Sequence, residues 1–548
     1  MVSRRITGSF LFAALLAAAA GAQEAHSHHG EAETLGVVRF PIACRDLVRP
    51  DWTRAVALLH SFGYEEARNA FAAVAQEDPG CGMASWGVAM TYYHPIWAPP
   101  TAAELARGRA AAEKAGSLGA KTDRERGYIS AIGVFYRDCD RVDHRTRALA
   151  YKAAMEELAR RYPDDHEASI FYALSLLGTA PSGDATFANQ KKAAEILNGL
   201  LQKEPQHPGV AHYLIHAFDY PSLAVLALPA ARSYAKIAPS SPHALHMPSH
   251  IFTRLGLWSE SIESNLASAD AARRLAAKAH PGAASFDALH ALDYLEYAYL
   301  QRGDEAKARQ VLEEAAGAKT FDDPSFAAGY ALAAIPARFA LERHRWADAA
   351  KLEPPQADLP WERFVYAPSI TYFAQALGSA RTGQPERARA ALAKLEQIHA
   401  GLVQTPVPGP YDWAAQVESM RLAAAASLAY SEGREDEAIR LARSAADLED
   451  RAGKHPVTPG AVLPARELLA DTLREMGRPQ EALAEYEASL RQAPNRLNSL
   501  YGAARSAELS GVPGRARELY ATLLENLGGR SGDRDEVKQA RDFLAKTK

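Results

Sequence analysis

ARELLADTLREMGRPQEALAEYEASLRQAPN (465–495) and NSLYGAARSAELSGVPGRARELYATLLEN (498–526) are one pattern written twice. Their glycines, Gly477 and Gly511, stand 34 residues apart. Each copy has a small residue in its first apolar run (Ala470, Ala504). The glycine follows, then Ala482 or Ala516 and Tyr486 or Tyr520 in the second run. Apolar residues recurring at three- and four-residue intervals make each run an amphipathic helix. A single hairpin of this kind cannot bury its apolar face. Stacked copies bury it against one another, so the pattern points to a one-dimensional array. An array also accommodates 548 residues in one body, where a compact core of that size would split. The chain is rich in alanine and poor in β-branched residues, which suits helix throughout.

The pattern continues towards the N-terminus. Clear copies are YEEARNAFAAVAQEDPG (64–80), KAAEILNGLLQKEP (192–205), LEYAYLQRGDEAKARQVLEEA (295–315), AQALGSARTGQPERARAAL (374–392) and LAYSEGREDEAIRLARSA (428–445). Looser copies lie at 102–118, 125–163 and 326–351. A helix-turn-helix period of this length resembles the tetratricopeptide repeat, with about 10 to 12 units over residues 50–530. The resemblance implies an all-α, right-handed superhelical solenoid whose first helices line a concave groove. Proline-rich YHPIWAPPT (93–101), LEPPQADL (352–359) and TPVPGP (405–410) read as bends in the array. Residues 531–548 read as a charged helix or tail. Segments such as HYLIHAFDYP and PHALHMPSHIFTRLGLW also resemble a group of exported bacterial tetratricopeptide proteins.

Residues 1–22 read as a cleavable signal peptide. Arg4 and Arg5 precede the apolar run ITGSFLFAALLAAAA, and Ala20-Gly21-Ala22 is a small-residue cleavage site with the cut after Ala22. The run is too short and too poor in large residues for a membrane span, and none is expected in the mature chain. A periplasmic or secreted location follows. Residues 23–49 form a lead-in whose first part, 23–38, is polar, carries His26, His28 and His29, and is expected to be disordered. In an oxidising compartment two of Cys44, Cys81 and Cys139 can pair. Cys44 with Cys81 is preferred because the two flank the first hairpin.

The chemistry concentrates between His207 and His250, which hold six of the chain's 18 histidines. His212/His216 and His246/His250 are four residues apart, so each pair shares a helix face one turn apart. The repeat resemblance implies which side chains face the groove. Taking Gly256 and Trp258 as one turn puts His243, His246 and His250 at the second, fifth and ninth repeat positions, followed by Thr253 and Arg254. The preceding repeat then places His212, His216 and Asp219 inward, and leaves His207 in a solvated turn. The following repeat contributes His290, Asp293 and Tyr297. His60 and His94 fall more loosely in the first two repeats, with Trp86 and Tyr93 beside His94. Arg338, Glu467, Asp471, Tyr501 and Arg505 are further groove candidates. Pro248 interrupts a helix and is expected to kink it.

Several imidazoles on adjacent helices suit a divalent transition metal, Zn or Cu first. His212, His216, His246, His250, His243 and His290 are the candidate ligands. Asp219 and Asp293 are candidate bases or supports for a ligating ring. Asp219, Arg254, Asp293, Tyr297 and His94 are candidate ligand-binding residues in the groove. A polar ligand patch without metal and a purely structural hydrogen-bond network are the competing readings. The glutamate of an HExxH zinc-protease motif is missing. There is no Gly-rich phosphate loop after a strand and hence no expected nucleotide cofactor, no GxSxG elbow and no Cys/His nucleophile pair. A formal charge of -4 argues against a nucleic-acid partner. The leading expectation is an exported scaffold whose groove binds a small ligand, protein or peptide together with a metal ion. The alternative is a metal-dependent hydrolase or oxidoreductase using the same histidines.

Overall fold

The computed structural model describes residues 33–96, 99–181, 183–409, 411–529 and 534–546. The proposed signal peptide and His26, His28 and His29 lie outside the described residues. Residues 34–548 form one compact unit. The fold is all-α, a solenoid of helix-turn-helix hairpins. Among the described residues the only β feature is an isolated bridge between Ala284 and Phe321. Among the described residues the helices pair into twelve successive hairpins, from 49–77 to 497–526, and a last helix, Asp535–Lys546, packs on the twelfth. No helix among these residues is long and apolar enough to cross a membrane.

The repeat residues do the work their pattern implied. Gly477 and Gly511 turn the chain between paired helices at φ +72° and +70°, a backbone region that strains any residue with a Cβ. Ala470, Ala482, Ala504 and Ala516 are fully buried where helices cross, as are Tyr486 and Tyr520. Several first helices start on a side-chain cap: Ser285, Ser325 and Asp412 accept from backbone N–H groups three residues on.

Contacts along the array are mostly between neighbours, but two long-range seams are superimposed on them. Trp258 Nε1 donates to the Asn495 carbonyl at 2.9 Å, and Asn495 Nδ2 donates to the Gly256 carbonyl at 3.2 Å. Leu497 N donates to Gln301 Oε1 at 2.8 Å. Thus the sixth and seventh hairpins carry the eleventh and twelfth. A Cβ at Gly256 would stand 2.4 Å from the Pro494 carbonyl oxygen, so only glycine permits that approach. At the other end, Val37 N donates to the Gln206 carbonyl, and His60 meets the 208–218 helix.

Two expectations are corrected here. Within the lead-in, residues 34–38 are ordered, because Leu35 and Val38 are buried in the N-terminal core together with Phe40 and Ile42. Trp52 Nε1 ties the segment down by donating to the Phe40 carbonyl. His207 is not solvated; it is 2% exposed and bound to Glu167. The Cys44–Cys81 disulfide forms, with Cα atoms 5.3 Å apart, and Cys139 is free.

Candidate metal centre

Three consecutive hairpins supply the six candidate ligands. Pro208–Phe218 starts with proline at its first position, where no N–H is needed, and carries His212 and His216. The next first helix is in two pieces, Pro242–His246 and Pro248–Arg254, with Met247 between them. The break falls at Pro248, which has no N–H to donate. His243, His246 and His250 sit on these pieces. Phe286–Gln301, capped by Ser285, carries His290.

Instead of lining an open groove, these side chains lie in the interior. His212, His243, His246, His250 and His290 are buried and His216 is half-buried. The reason is that remote chain fills the groove at this level. Phe62 packs on His212, His216 and His243 from one side. The segment Lys454–Thr458 closes the other: Lys454 Nζ lies 3.0 Å from Asp219 Oδ2, and Tyr294 OH donates to the Thr458 carbonyl at 3.0 Å.

The six rings sort into two sets of three. In one, His212, His216 and His243 bring a ring nitrogen each within 4.8 Å of the others; in the second, His246, His250 and His290 do the same. His212 Nε2 is 3.1 Å from His216 Nε2 and 3.0 Å from His243 Nε2. His246 Nε2 is 3.0 Å from His250 Nε2. The sets are neighbours, with ring centroids 6.4 Å apart for both His216–His250 and His243–His246.

The other nitrogen of three rings decides the tautomer. His212 Nδ1 is 2.7 Å from the His60 carbonyl, which can only accept. His250 Nδ1 is 3.0 Å from Asp219 Oδ2. His246 Nδ1 is 2.6 Å from Asn265 Oδ1, an oxygen identified because Asn265 Nδ2 donates to the Ser261 carbonyl. In all three rings the proton is therefore on Nδ1, and Nε2 is a bare lone pair. Consequently His246 and His250 aim two lone pairs at each other across 3.0 Å in a buried site. Two acceptors cannot hydrogen-bond, so the contact calls for a cation between them. A fixed Nδ1–H with Nε2 free is also the arrangement in which histidine ligates a metal. Burial lowers the pKa of all six rings, His212 to about 3, which keeps them in the neutral, ligating form.

Asp219 sits behind His250. Its carboxylate accepts from His250 Nδ1, Arg254 Nε at 2.9 Å and Lys454 Nζ. Burial would raise its pKa, but Lys454 and Arg254 outweigh this and hold it well below the carboxylate range. Burial lowers Lys454 to about 8, against the pull of Asp219. A carboxylate so engaged orients the His250 ring and is not a free base.

Between the two sets is a gap of about 10 Å³. His216, His243, His250 and His290 line it, and Ile96, Met247, Pro456 and Val457 complete the wall. His290 and Val457 also line a second space of about 1300 Å³. This large cavity has an aromatic wall in which Trp413 stacks on Tyr366 at 3.7 Å, and on His455 at 5.2 Å.

The remaining candidates fall elsewhere. Asp293 is bound to Arg338 at 2.6 Å and is not among the histidines, which removes it as their base. Tyr297 OH accepts from Arg496 Nη1 at 2.9 Å in the same ionic cluster. Arg338 and Glu467 belong to that cluster too, and are buried rather than presented to a ligand. His94 lines the large cavity, with Nε2 on the Thr91 carbonyl. His60 forms a third buried group with Glu167 and His207, each ring nitrogen 2.9 Å from the carboxylate. The sequence reading missed Asn265, Glu167, Tyr294 and Lys454. Asn265 carried a usable signal, since it faces back to its own hairpin's first helix; Lys454, more than 200 residues away, carried none.

Neither protein-family models nor curated proteins return a match to this chain. Solved structures do align. Yeast Tom70 is 10% identical, with a TM-score of 0.33 over 91% of this chain and 95% of that one. The human IFIT1 dimer with m7Gppp-AAAA is 12% identical, with a TM-score of 0.36 over 77% and 86%. The P58(IPK) TPR domain is 14% identical, with a TM-score of 0.21 over 70% and 99%. Likenesses this loose say nothing of partner or chemistry, and the tetratricopeptide-like character of the fold stands on the hairpins themselves.

Proposed function

We propose that the chain is an exported helical-repeat metalloprotein that holds two transition-metal ions side by side, next to a cavity for a small organic ligand. The carrying observation is the pair of bare Nε2 lone pairs of His246 and His250, 3.0 Å apart in a buried site. The fixed Nδ1 protons support it, as does the repetition of the three-histidine arrangement in the adjoining set. The aromatic wall supports an organic ligand, and its volume suits a ligand of moderate size. Export is supported by the signal pattern and the Cys44–Cys81 bridge, since disulfides persist in oxidising compartments. A metal-dependent enzyme using the same six residues is the second reading. It is favoured by the shared wall at His290 and Val457, which brings the cavity next to the ions.

Metal analysis of full-length protein purified without a histidine tag tests the proposal. About two ions per chain are expected, falling to about one in a His246→Ala/His250→Ala variant (the count follows from three ligands per ion). A chain that stays metal-free, and whose melting temperature does not move with added Zn or Cu, refutes it.

A further inference from the structure

We infer that the two ions are copper, and that together they take up dioxygen across the gap between the two histidine sets; this rests on the two-ion reading above.

Charge is the first argument. The hydrogen bonds identify neutral imidazole as the donor, and neither three-histidine set includes a carboxylate. The nearest carboxylate, Asp219, lies behind His250 and is already matched by two cations, Arg254 and Lys454. An ion in this buried site gains no charge compensation from its neutral ligands, so a monovalent ion is held at the smallest electrostatic cost. Monovalent copper adds half the charge of a divalent ion. It also accepts three-coordination, whereas zinc completes a tetrahedron.

The gap is the second argument. With three rings on each ion, the open coordination positions fall where the two sets face one another. The space there is about 10 Å³, close to the size of one water. Its non-histidine walls are Ile96, Met247, Pro456 and Val457, with no charged group among them. Such a lining suits a small apolar molecule better than the charged or strongly hydrated substrates of metal hydrolases. The Met247 thioether is also a soft group of the kind that copper tolerates nearby.

The step balances without any other reactant. Each Cu(I) gives one electron to a single dioxygen, and the O–O bond order falls by one. Peroxide then bridges two Cu(II) ions, no proton moves, and the summed charge of metals plus dioxygen is unchanged. The low-dielectric site therefore bears no added charge on uptake. Release of dioxygen returns both electrons.

The test uses metal-free, tag-free, full-length protein loaded anaerobically with Cu(I) to saturation and then exposed to oxygen. The expected results are about one dioxygen taken up per copper pair, a new intense near-ultraviolet absorption, and no electron paramagnetic resonance signal, because the two Cu(II) spins couple. Evacuation should reverse the absorption. A paramagnetic signal from all the copper, or no oxygen uptake by a chain carrying two coppers, overturns the inference and leaves the two-ion reading standing. So does retention of two zinc ions against excess Cu(I). A chain that binds no metal overturns both. His216→Gln, at the least buried of the six positions, should lower the absorption at least tenfold. Circular dichroism checks that this variant remains folded, and His290→Gln repeats the experiment on the second set. Unchanged absorption in two folded variants overturns the inference.

Discussion

Two buried polar clusters sit side by side at the array's long seam, and they are built on opposite principles. The first is ionic. Arg496 holds Glu467 through two hydrogen bonds of 3.1 and 3.0 Å and Glu342 at 2.7 Å, while Arg338 holds Asp293 at 2.6 Å and Glu296 at 3.0 Å. Its carboxylates outnumber its guanidiniums, and burial raises Asp293, Glu296 and Glu467 against the pull of the two arginines. The second is the histidine centre, where like groups face like. Its three defined Nε2 lone pairs point at other ring nitrogens. One cluster joins hairpins by pairing opposite charges. The other brings ring nitrogens face to face, which is the observation behind the two-ion proposal.

That contrast can be broken by substitution. Arg496→Ala should have the largest effect, because it strands two buried carboxylates: a loss of about 3–5 kcal/mol in urea unfolding. A loss under about 1 kcal/mol would show that the ionic cluster is not what holds the seam. Next, adding metal to the metal-free native chain at about 100 times its Kd should raise unfolding stability by about 2.7 kcal/mol. The His246→Ala/His250→Ala variant should lose the part of that gain due to its own set. Its metal-free stability should change less than that of Arg496→Ala, since the substitution also removes two opposed lone pairs. The reverse order would make the histidines structural.

A smaller effect is expected one step from the histidine sets. Asn265→Ala frees the Nδ1–H of His246 and should weaken metal binding about 10- to 100-fold in a competitive chelator titration. An unchanged affinity would mean that the ring needs no positioning. The smallest effect concerns pH. Burial would raise Glu167, but His207 and His60 outweigh it and hold the carboxyl below its ordinary 4.5. A depressed carboxyl contributes stability above that value and loses it as pH falls below. Glu167→Gln should therefore lower stability at neutral pH and flatten the decline below about pH 4.5 in acid unfolding. A slope identical to that of the native chain would show that Glu167 is not what sets it.

The parts of this molecule that repeat were legible in the sequence, and the parts that join repeats were not. Gly477 and Gly511, with the alanines and tyrosines around them, announce a hairpin because each makes its contacts within about 34 residues. Spacing also identified the six histidines, and Pro248 marked the break between them. Their grouping was not legible: His243 joins His212 and His216 across hairpins, while His246 and His250 join His290. Nor was their burial, which depends on Phe62 and on Lys454–Thr458, segments lying respectively before and long after the cluster. A period reports what lies one repeat away, but closure of the array brings together residues such as Trp258 and Asn495 that share no spacing rule. His207 was misplaced for the same reason, since its partner Glu167 belongs to an earlier repeat.

The closing segment imposes an order of events. The hairpins bearing all six histidines are complete by residue 317, whereas Lys454–Thr458 comes after three further hairpins. A chain that folds from its N-terminus therefore passes through a stage in which the histidines are assembled but uncovered. Once Lys454 has docked on Asp219 and Thr458 on Tyr294, the rings are covered on that side. On the two-ion proposal, a metal ion added to the closed chain would reach the rings from the side of the large cavity, whose wall includes His290.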